Sequence, residues 1–386
     1  MKKKILIVVN VDWFFVSHRL LIAKEAIKAN YEVHLATQVT LKKGIIEAHG
    51  IIVHPIKISR SSINPLGVLG YCFSLSKILR AVKPSILHLV TIKPVVLGGL
   101  LARIYGVPSV IYAISGMGYL FISKSFVNHG IRKIVSLIYR FIFRHKNSLV
   151  ICQNPTDLNL VLKKSKYRSD RAILIPGSGV NLDRYVSKKT AFDNPNEPVV
   201  MFASRLLKDK GIFEFVQAAR LVKKKFENNL NKISFVVVGD VDSDNKASID
   251  YHLLNEWKQA GLIQYWGYSD RIENMLQKAD IFVLPSYREG MPKILQEASA
   301  SSLPVITTDV PGCRDAIIQN ETGLLVPARD SEALSSAIIE LLHDHKKAKL
   351  LGQNGRKYAE KNFDVNLVAK KHIEIYKFLD SQNSIT

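Results

Sequence analysis

At 386 residues and 47% hydrophobic composition, the chain is long enough for two domains of ordinary size, each burying its own core. Its three cysteines, Cys72, Cys152 and Cys313, lie far apart with no C-x-x-C pairing, which excludes a disulfide framework and a cysteine zinc site and points to a reducing cytoplasm. The net charge of +21 lies entirely in one half: residues 1–190 carry 29 Lys and Arg against 7 Asp and Glu, a net of +22, and residues 191–386 carry 25 against 26, a net of −1. Such asymmetry implies an anionic partner for the first half, whether a membrane surface, a phosphorylated acceptor or nucleic acid.

The basic start and the apolar run Ile5 to Val9 imitate a secretory signal, but Asn10 and Asp12 interrupt the run and no small-residue cleavage site follows. Residues 4–9 therefore read as a first buried strand. No window reaches the ~18 apolar residues that span a bilayer. Similar runs at 31–36 and 86–90, separated by helix-like or loop segments, continue a βαβ alternation, the signature of a parallel α/β sheet. Segment 10–20 then reads as a loop at the carboxyl end of the first strand, where open α/β sheets bind ligands. Asp12, Trp13, His18 and Arg19 in it are candidates to touch an acceptor sugar or its phosphate. The same residues fit a hydrophobic staple with an arginine at a helix start.

A small-residue helix over 95–105 and a strand over 109–114 lead to Ser115-Gly116-Met117-Gly118. With no third glycine and no helix opening there, this is not a dinucleotide fingerprint. Ile131, Ile134, Val135, Ile138, Phe141 and Ile142 follow helical spacing, with Arg132, Lys133, Arg140 and Arg144 largely opposite. Such a helix suits an anionic membrane surface, and it equally suits a domain helix packed on the sheet with a solvated basic face. Residues 149–153 read as the last strand of the first domain, and 172–175 lead into the glycine-rich turn Pro176-Gly177-Ser178-Gly179-Val180-Asn181. Polar, Asn- and Pro-bearing 188–198 reads as the linker.

The second half opens with a strand over 199–203 and a loop in which Arg205 and Lys210 stand beside the start of a helix over 212–226. Two cations at a helix N-terminus suit a diphosphate. After a strand over 233–238 comes Asp240-Val241-Asp242-Ser243-Asp244, which imitates a calcium loop. That loop needs Gly at its sixth position and Glu at its twelfth, where this chain has Asn245 and Tyr251, so a solvated acidic loop with no essential metal is expected. The strand over 281–284 runs into Pro285-Ser286-Tyr287-Arg288-Glu289-Gly290-Met291-Pro292, with Pro292 suited to the first position of a helix over 293–301 that carries Glu297. The N–H groups around Gly290, Met291 and Lys293 suit an anion. Strands over 305–307 and 323–326 and a helical tail over 364–379 complete the chain.

Strand, Glu-Gly-x-Pro turn, helix and a second Glu resemble the E-x7-E element of family 4 of the retaining, nucleotide-sugar-dependent glycosyltransferases. That resemblance implies the GT-B fold, two Rossmann-like doubly wound domains facing a central cleft: residues 1–190 on the acceptor and membrane side, residues 191–363 binding the nucleotide sugar, and a helix within 364–386 crossing back to the first domain. The block from His88 to Phe121 is similar to the bacterial subgroup that extends undecaprenyl-diphosphate-linked glycans with an N-acetylhexosamine, as in O-antigen or capsule assembly. By the resemblance, Arg205 and Lys210 grip the diphosphate of a UDP-sugar, Glu289 holds donor-sugar hydroxyls, and Glu297 holds the ribose. Ser178 and Gly179 line the donor site, and the segment around Gly267 and Tyr268 packs on the uracil. Ser115, beside Gly116, stands where many members have a histidine that contacts the donor sugar, so no catalytic histidine is expected. The expectation is thus a transferase with no cofactor, peripheral on the inner face of an anionic cytoplasmic membrane, with a lipid-diphosphate-linked glycan as acceptor. A UDP-N-acetylhexosamine 2-epimerase of the same fold is the second enzyme reading. A basic nucleic-acid-binding protein is a third, disfavoured by acids at the proposed site and the lack of a recognition motif, so no nucleic-acid partner is expected.

Overall fold

The computed structural model describes residues 2–57, 64–116, 126–165, 167–187, 192, 197–226, 233–242 and 245–383, the segment 126–134 by its backbone only. The chain divides into two compact units, residues 1–179 with 365–386, and residues 180–364.

Among the described residues, the first unit's sheet has seven parallel strands, β1 (Lys4–Val11), β2 (Glu32–Gln38), β3 (Ile52–Pro55), β4 (Ile86–Val90), β5 (Ser109–Ile114), β6 (Ser148–Cys152) and β7 (Ala172–Leu174), in the order β3-β2-β1-β4-β5-β6-β7. Strands this apolar are buried on both faces. Ile5, Ile7 and Val9 enter one core cluster while Leu6 and Val8 enter another, as the two-residue side-chain period requires. The helix Val365–Asn383 completes the first cluster with Val368, Ala369, Ile375, Tyr376 and Leu379. Polar bonds pin it there: Tyr31 donates to Asp380 at 2.6 Å, and the Tyr376 hydroxyl meets His88 Nδ1 at 2.8 Å.

The second unit has six parallel strands among its described residues, β8 (Val199–Ala203), β9 (Ser234–Val238), β10 (Gln264–Gly267), β11 (Ile281–Leu284), β12 (Val305–Thr308) and β13 (Gly323–Val326), ordered β10-β9-β8-β11-β12-β13. The order reverses between β8 and β11, the switch point at which doubly wound sheets bind ligands.

Several local expectations change. Segment 10–20 is mostly helical, with Asp12–His18 and Leu20–Lys28 meeting at Arg19. β6 is not the last strand of its sheet, because β7 pairs with it in parallel. The units divide at Gly179, ahead of the 188–198 stretch, because Val180, Tyr185 and Phe192 are buried in the second core. The helix Phe126–Phe143 turns Tyr139, Ile142 and Phe143 into the first unit's core, with Val135 and Ile138 packed against them, and leaves Leu137 and Phe141 exposed. Of its expected apolar stripe, the described part thus covers the sheet, apart from Phe141. Among the described residues no helix is long and apolar enough to cross a membrane.

Candidate active site

The second unit's site begins with backbone. β8 and β11 are paired neighbours, so the loops that follow them leave the sheet side by side, and the loop after β12 leaves next to them. Tyr287 N–H donates to Asp209 C=O at 2.9 Å, joining the first two loops, and Glu289 N–H donates to Pro311 C=O at 3.1 Å, joining the second and third. Glycine permits this closeness at two points. Gly211 has φ +78° and a Cβ there would lie 2.1 Å from the Pro285 carbonyl oxygen; Gly312 has φ +86° and a Cβ would lie 2.4 Å from that of Glu289. Gly312→Ala combines a left-handed backbone with a backbone clash, and should cost about 2 kcal/mol or more. We expect a melting temperature several degrees lower by circular dichroism; an unchanged melt would contradict the close approach.

On this frame Lys210 Nζ forms an ion pair with Glu289 Oε1, both side chains largely buried, and Ser286 Oγ donates to the same oxygen at 2.9 Å. Beneath them Cys313 is buried, its thiol pushed up to about 12 by burial and then by the Glu289 charge, so it is no nucleophile. Arg205 has a different partner from Lys210. Its Nη1 donates to Asp242 Oδ2 at 2.8 Å, and Asp240 accepts from the Tyr251 hydroxyl. The acidic loop expected to be solvated thus supplies the partner of one site cation; Asp244 lies outside the described residues.

The helix Lys293–Ala300 follows, with Pro292 as its N-cap (φ −68°, ψ 118°) rather than its first helical residue, and with Gly290 and Met291 buried before it. Glu297 is buried and does not meet Glu289. Its Oε1 accepts from the Tyr185 hydroxyl at 2.6 Å and lies 3.5 Å from Lys293 Nζ. Burial, and then the Glu297 charge, raise the Tyr185 phenol above its ordinary value, so it stays a donor. Gly267, at the end of β10 with φ +74°, accepts from Gly239 N–H at 2.9 Å. Tyr268 is exposed and donates to Asp270 at 2.8 Å.

In the first unit the acceptor-side candidates separate. Asp12 is fully buried and accepts from the backbone N–H groups of Trp13, Thr40 and Lys42 and from the Thr40 hydroxyl. Burial pushes its carboxyl up, but the Thr40 hydroxyl and these N–H groups outweigh it and hold it below the ordinary value. Asp12 thereby ties the loop after β2 to a helix start. Trp13 is partly exposed, and His18 stacks on Phe14 with ring centroids 4.1 Å apart. Arg19 is buried, donates to the His18 carbonyl at 2.9 Å, and lines a small recess with Ser115, Gln153, Gly177 and His372. Gly116 (φ +125°) follows Ser115, Gly179 (φ +74°) ends the first of the unit's two chain segments, and the buried Ser178 hydroxyl has no hydrogen-bond partner among the described residues. Tyr185, Ser286, Gln153 and His372 were not among the sequence candidates, and Asp242 was read only as part of a solvated acidic loop. Tyr185 and Asp242 acquire their places from residues distant in the chain, whereas Ser286 acts within its own loop, on Glu289 three residues on.

Residues 183–358 match the family model described as glycosyl transferases group 1, and residues 4–154 match the one described as glycosyl transferase 4-like. The chain is 28% identical over 340 residues, 85% of its length and 86% of the other's, to the N,N'-diacetylbacillosaminyl-diphospho-undecaprenol alpha-1,3-N-acetylgalactosaminyltransferase of Campylobacter jejuni subsp. jejuni serotype O:2. It is 29% identical over 316 residues, 78% of each chain, to the UDP-Gal:alpha-D-GlcNAc-diphosphoundecaprenol alpha-1,3-galactosyltransferase of Escherichia coli. Its fold is similar to that of the sucrose-phosphate synthase from Thermosynechococcus elongatus, with a TM-score of 0.80 and 19% identity over 99% of this chain and 100% of that one.

Proposed function

We propose that this chain, a glycosyltransferase belonging to group 1 with a 4-like first domain, moves an N-acetylhexosamine from its UDP form to a sugar on undecaprenyl diphosphate, with retention, in building a surface polysaccharide. The observation that carries the reading is the Lys210–Glu289 pair, held by three interlocked loops at the switch point of a group 1 domain. Two relatives named for transfer to diphosphoundecaprenol-linked sugars, one of them from UDP-Gal, support the acceptor and the nucleotide.

In this reaction UDP departs with growing negative charge. Lys210, Arg205 and the backbone N–H groups before the helix Lys293–Ala300 would meet that charge, and donors aimed at charge that develops in the transition state form the largest catalytic term. Glu289, its orientation set by Lys210 and Ser286, would take the donor-sugar hydroxyls. Glu297, held by Tyr185 and Lys293, would take the ribose. With attack on the face that UDP vacates, the acceptor hydroxyl passes its proton to the leaving phosphate, and no separate base is needed. The first unit works at an anionic membrane surface on the cytoplasmic side, which supplies the lipid-linked acceptor and accounts for the +22 of residues 1–190.

Purified protein, a UDP-N-acetylhexosamine and an undecaprenyl-diphosphate-linked sugar should give UDP and an elongated glycan whose new linkage keeps the donor's anomeric configuration by NMR. Activity should survive excess EDTA. Complete loss in EDTA would make Asp240 and Asp242 metal ligands, and interconversion of the UDP-sugar without acceptor would replace the transferase by an epimerase.

A further inference from the structure

Glu297 is 7% exposed, and its carboxylate is engaged on one oxygen. The Tyr185 hydroxyl donates to Oε1 at 2.6 Å and the Lys293 ammonium stands 3.5 Å from the same atom, whereas among the described residues no hydrogen bond reaches Oε2. Each oxygen of an ionised carboxylate has room for two donors, so Oε2 is the acceptor left to a ligand. Without the phenol the carboxylate could turn and present either oxygen. Tyr185 therefore decides which one is offered.

What fixes Tyr185 is remote in the chain. Arg356, on the helix His345–Asn362, donates through Nη1 to the Tyr185 carbonyl and, at 2.6 Å, to the Ala300 carbonyl. Ala300 ends the helix that carries Glu297, and carbonyls in a last turn lack intrahelical donors, so a guanidinium there completes the helix end and is favoured by its dipole. One cation thus holds both the backbone of the phenol donor and the helix of its acceptor. Arg184, next to Tyr185, ties the same segment to the loop after β10: its Nη2 donates to the Asp270 carbonyl at 2.9 Å and to Glu273 Oε2 at 2.8 Å, and Asp270 also accepts from Tyr268. Val180 N–H, at the start of the segment, donates to the Phe363 carbonyl at 2.7 Å. Residues 180–185 are thereby a strap pinned at both ends, and Tyr185 is 3% exposed beneath it.

We propose that Tyr185 is the specificity-determining residue for the ribose of the nucleotide donor and that Arg356 positions it. With Oε1 held by the phenol, Oε2 is presented to the ribose hydroxyls, and a 2′-deoxynucleotide leaves that oxygen without a donor. The inference rests on the transferase reading above, in which Glu297 takes the ribose, and goes beyond it in assigning selection of a ribonucleotide to two residues that act through Glu297.

The test is calorimetric titration of the full chain with UDP and, separately, with 2′-deoxy-UDP. Wild type should prefer UDP by at least about 10-fold, because a site built to bond a hydroxyl leaves a desolvated charged oxygen unpaired when the hydroxyl is missing. Tyr185→Phe and Arg356→Met should each weaken UDP and bring the preference to within about 3-fold, and Arg356→Lys, whose ammonium can still donate to a carbonyl, should restore it. The preference carries the test, since a role confined to stability would weaken both nucleotides alike. Equal binding of the two nucleotides by wild type, or an undiminished preference in folded Tyr185→Phe, would overturn the proposal; Arg356→Met carries the test if Tyr185→Phe does not fold. Glu297→Ala separates this proposal from the reading beneath it. A preference that survives in Glu297→Ala would take Glu297 away from the ribose and overturn both, whereas a preference lost in Glu297→Ala and kept in Tyr185→Phe would overturn the role of Tyr185 alone.

Discussion

Lys210→Ala should lower kcat/KM for sugar transfer by about 10²–10³-fold, the loss of ~2–4 kcal/mol that follows removal of one donor aimed at developing charge. The ammonium is largely buried against Glu289, so its field on the leaving diphosphate is less screened than that of a surface lysine. The substitution also leaves Glu289 with Ser286 as its remaining hydrogen-bond partner among the described residues and frees its orientation. Arg205→Ala should act in the same direction and toward the lower end of that range, because this side chain is more exposed and shares its charge with Asp242. Glu289→Ala should collapse kcat, whereas Glu297→Ala should chiefly raise KM for the UDP-sugar, since a ribose contact is remote from the reacting bond. Steady-state kinetics with varied donor separate these cases. Near-normal turnover for both Lys210→Ala and Arg205→Ala would remove the diphosphate role, and equal profiles for the two glutamate variants would remove their division of labour.

Changing Leu66, Leu69 and Phe73 together to Ser should reduce binding to anionic liposomes by roughly 10³-fold. These residues are 77%, 65% and 63% exposed and share one side of the helix Pro65–Val82, whose opposite side buries Tyr71, Leu75, Leu79 and Val82. Basic groups border the stripe. Lys77 Nζ stands 4.4 Å from the Phe73 ring centre, and Arg80, further along the same helix, donates to the Tyr105 hydroxyl at 2.9 Å. An apolar stripe edged by cations is the composition that enters the headgroup boundary of an anionic leaflet. Full burial of such side chains is worth ~1.5–3 kcal/mol each, so three partly inserted ones supply several kcal/mol. Binding should also fall as salt screens the basic rim. The measurement is co-sedimentation with anionic and neutral liposomes at low and high salt, with circular dichroism to show the variant folded. Equal sedimentation of variant and wild type would take this helix out of any membrane contact.

Much of both sheets is legible in the order of residues because parallel strands covered on both faces must be continuous apolar runs; the runs at 86–90, 109–114 and 281–284 coincide with β4, β5 and β11. The loops that carry Arg205, Lys210 and Glu289 are legible for the same reason, since each follows a recognisable strand and precedes a recognisable helix. What these side chains meet is not. Arg205 meets Asp242, Glu297 meets Tyr185, and Lys210 meets Glu289 across sequence gaps that only strand order closes. The helical period of residues 131–142 announces an apolar face without saying whether sheet or solvent lies opposite, and packing gave the sheet to Ile142 and left Phe141 outside. Arg19 is the sharpest case. Next to His18 in the sequence it has the look of a surface cation, and only the convergence of the ends of β5, β6 and β7 with the C-terminal helix makes it a buried charge with no counter-ion among the described residues. Local composition determines which elements form and which ends of them face a ligand; burial and charge pairing depend on what the fold brings beside them, and that belongs to the tertiary structure alone.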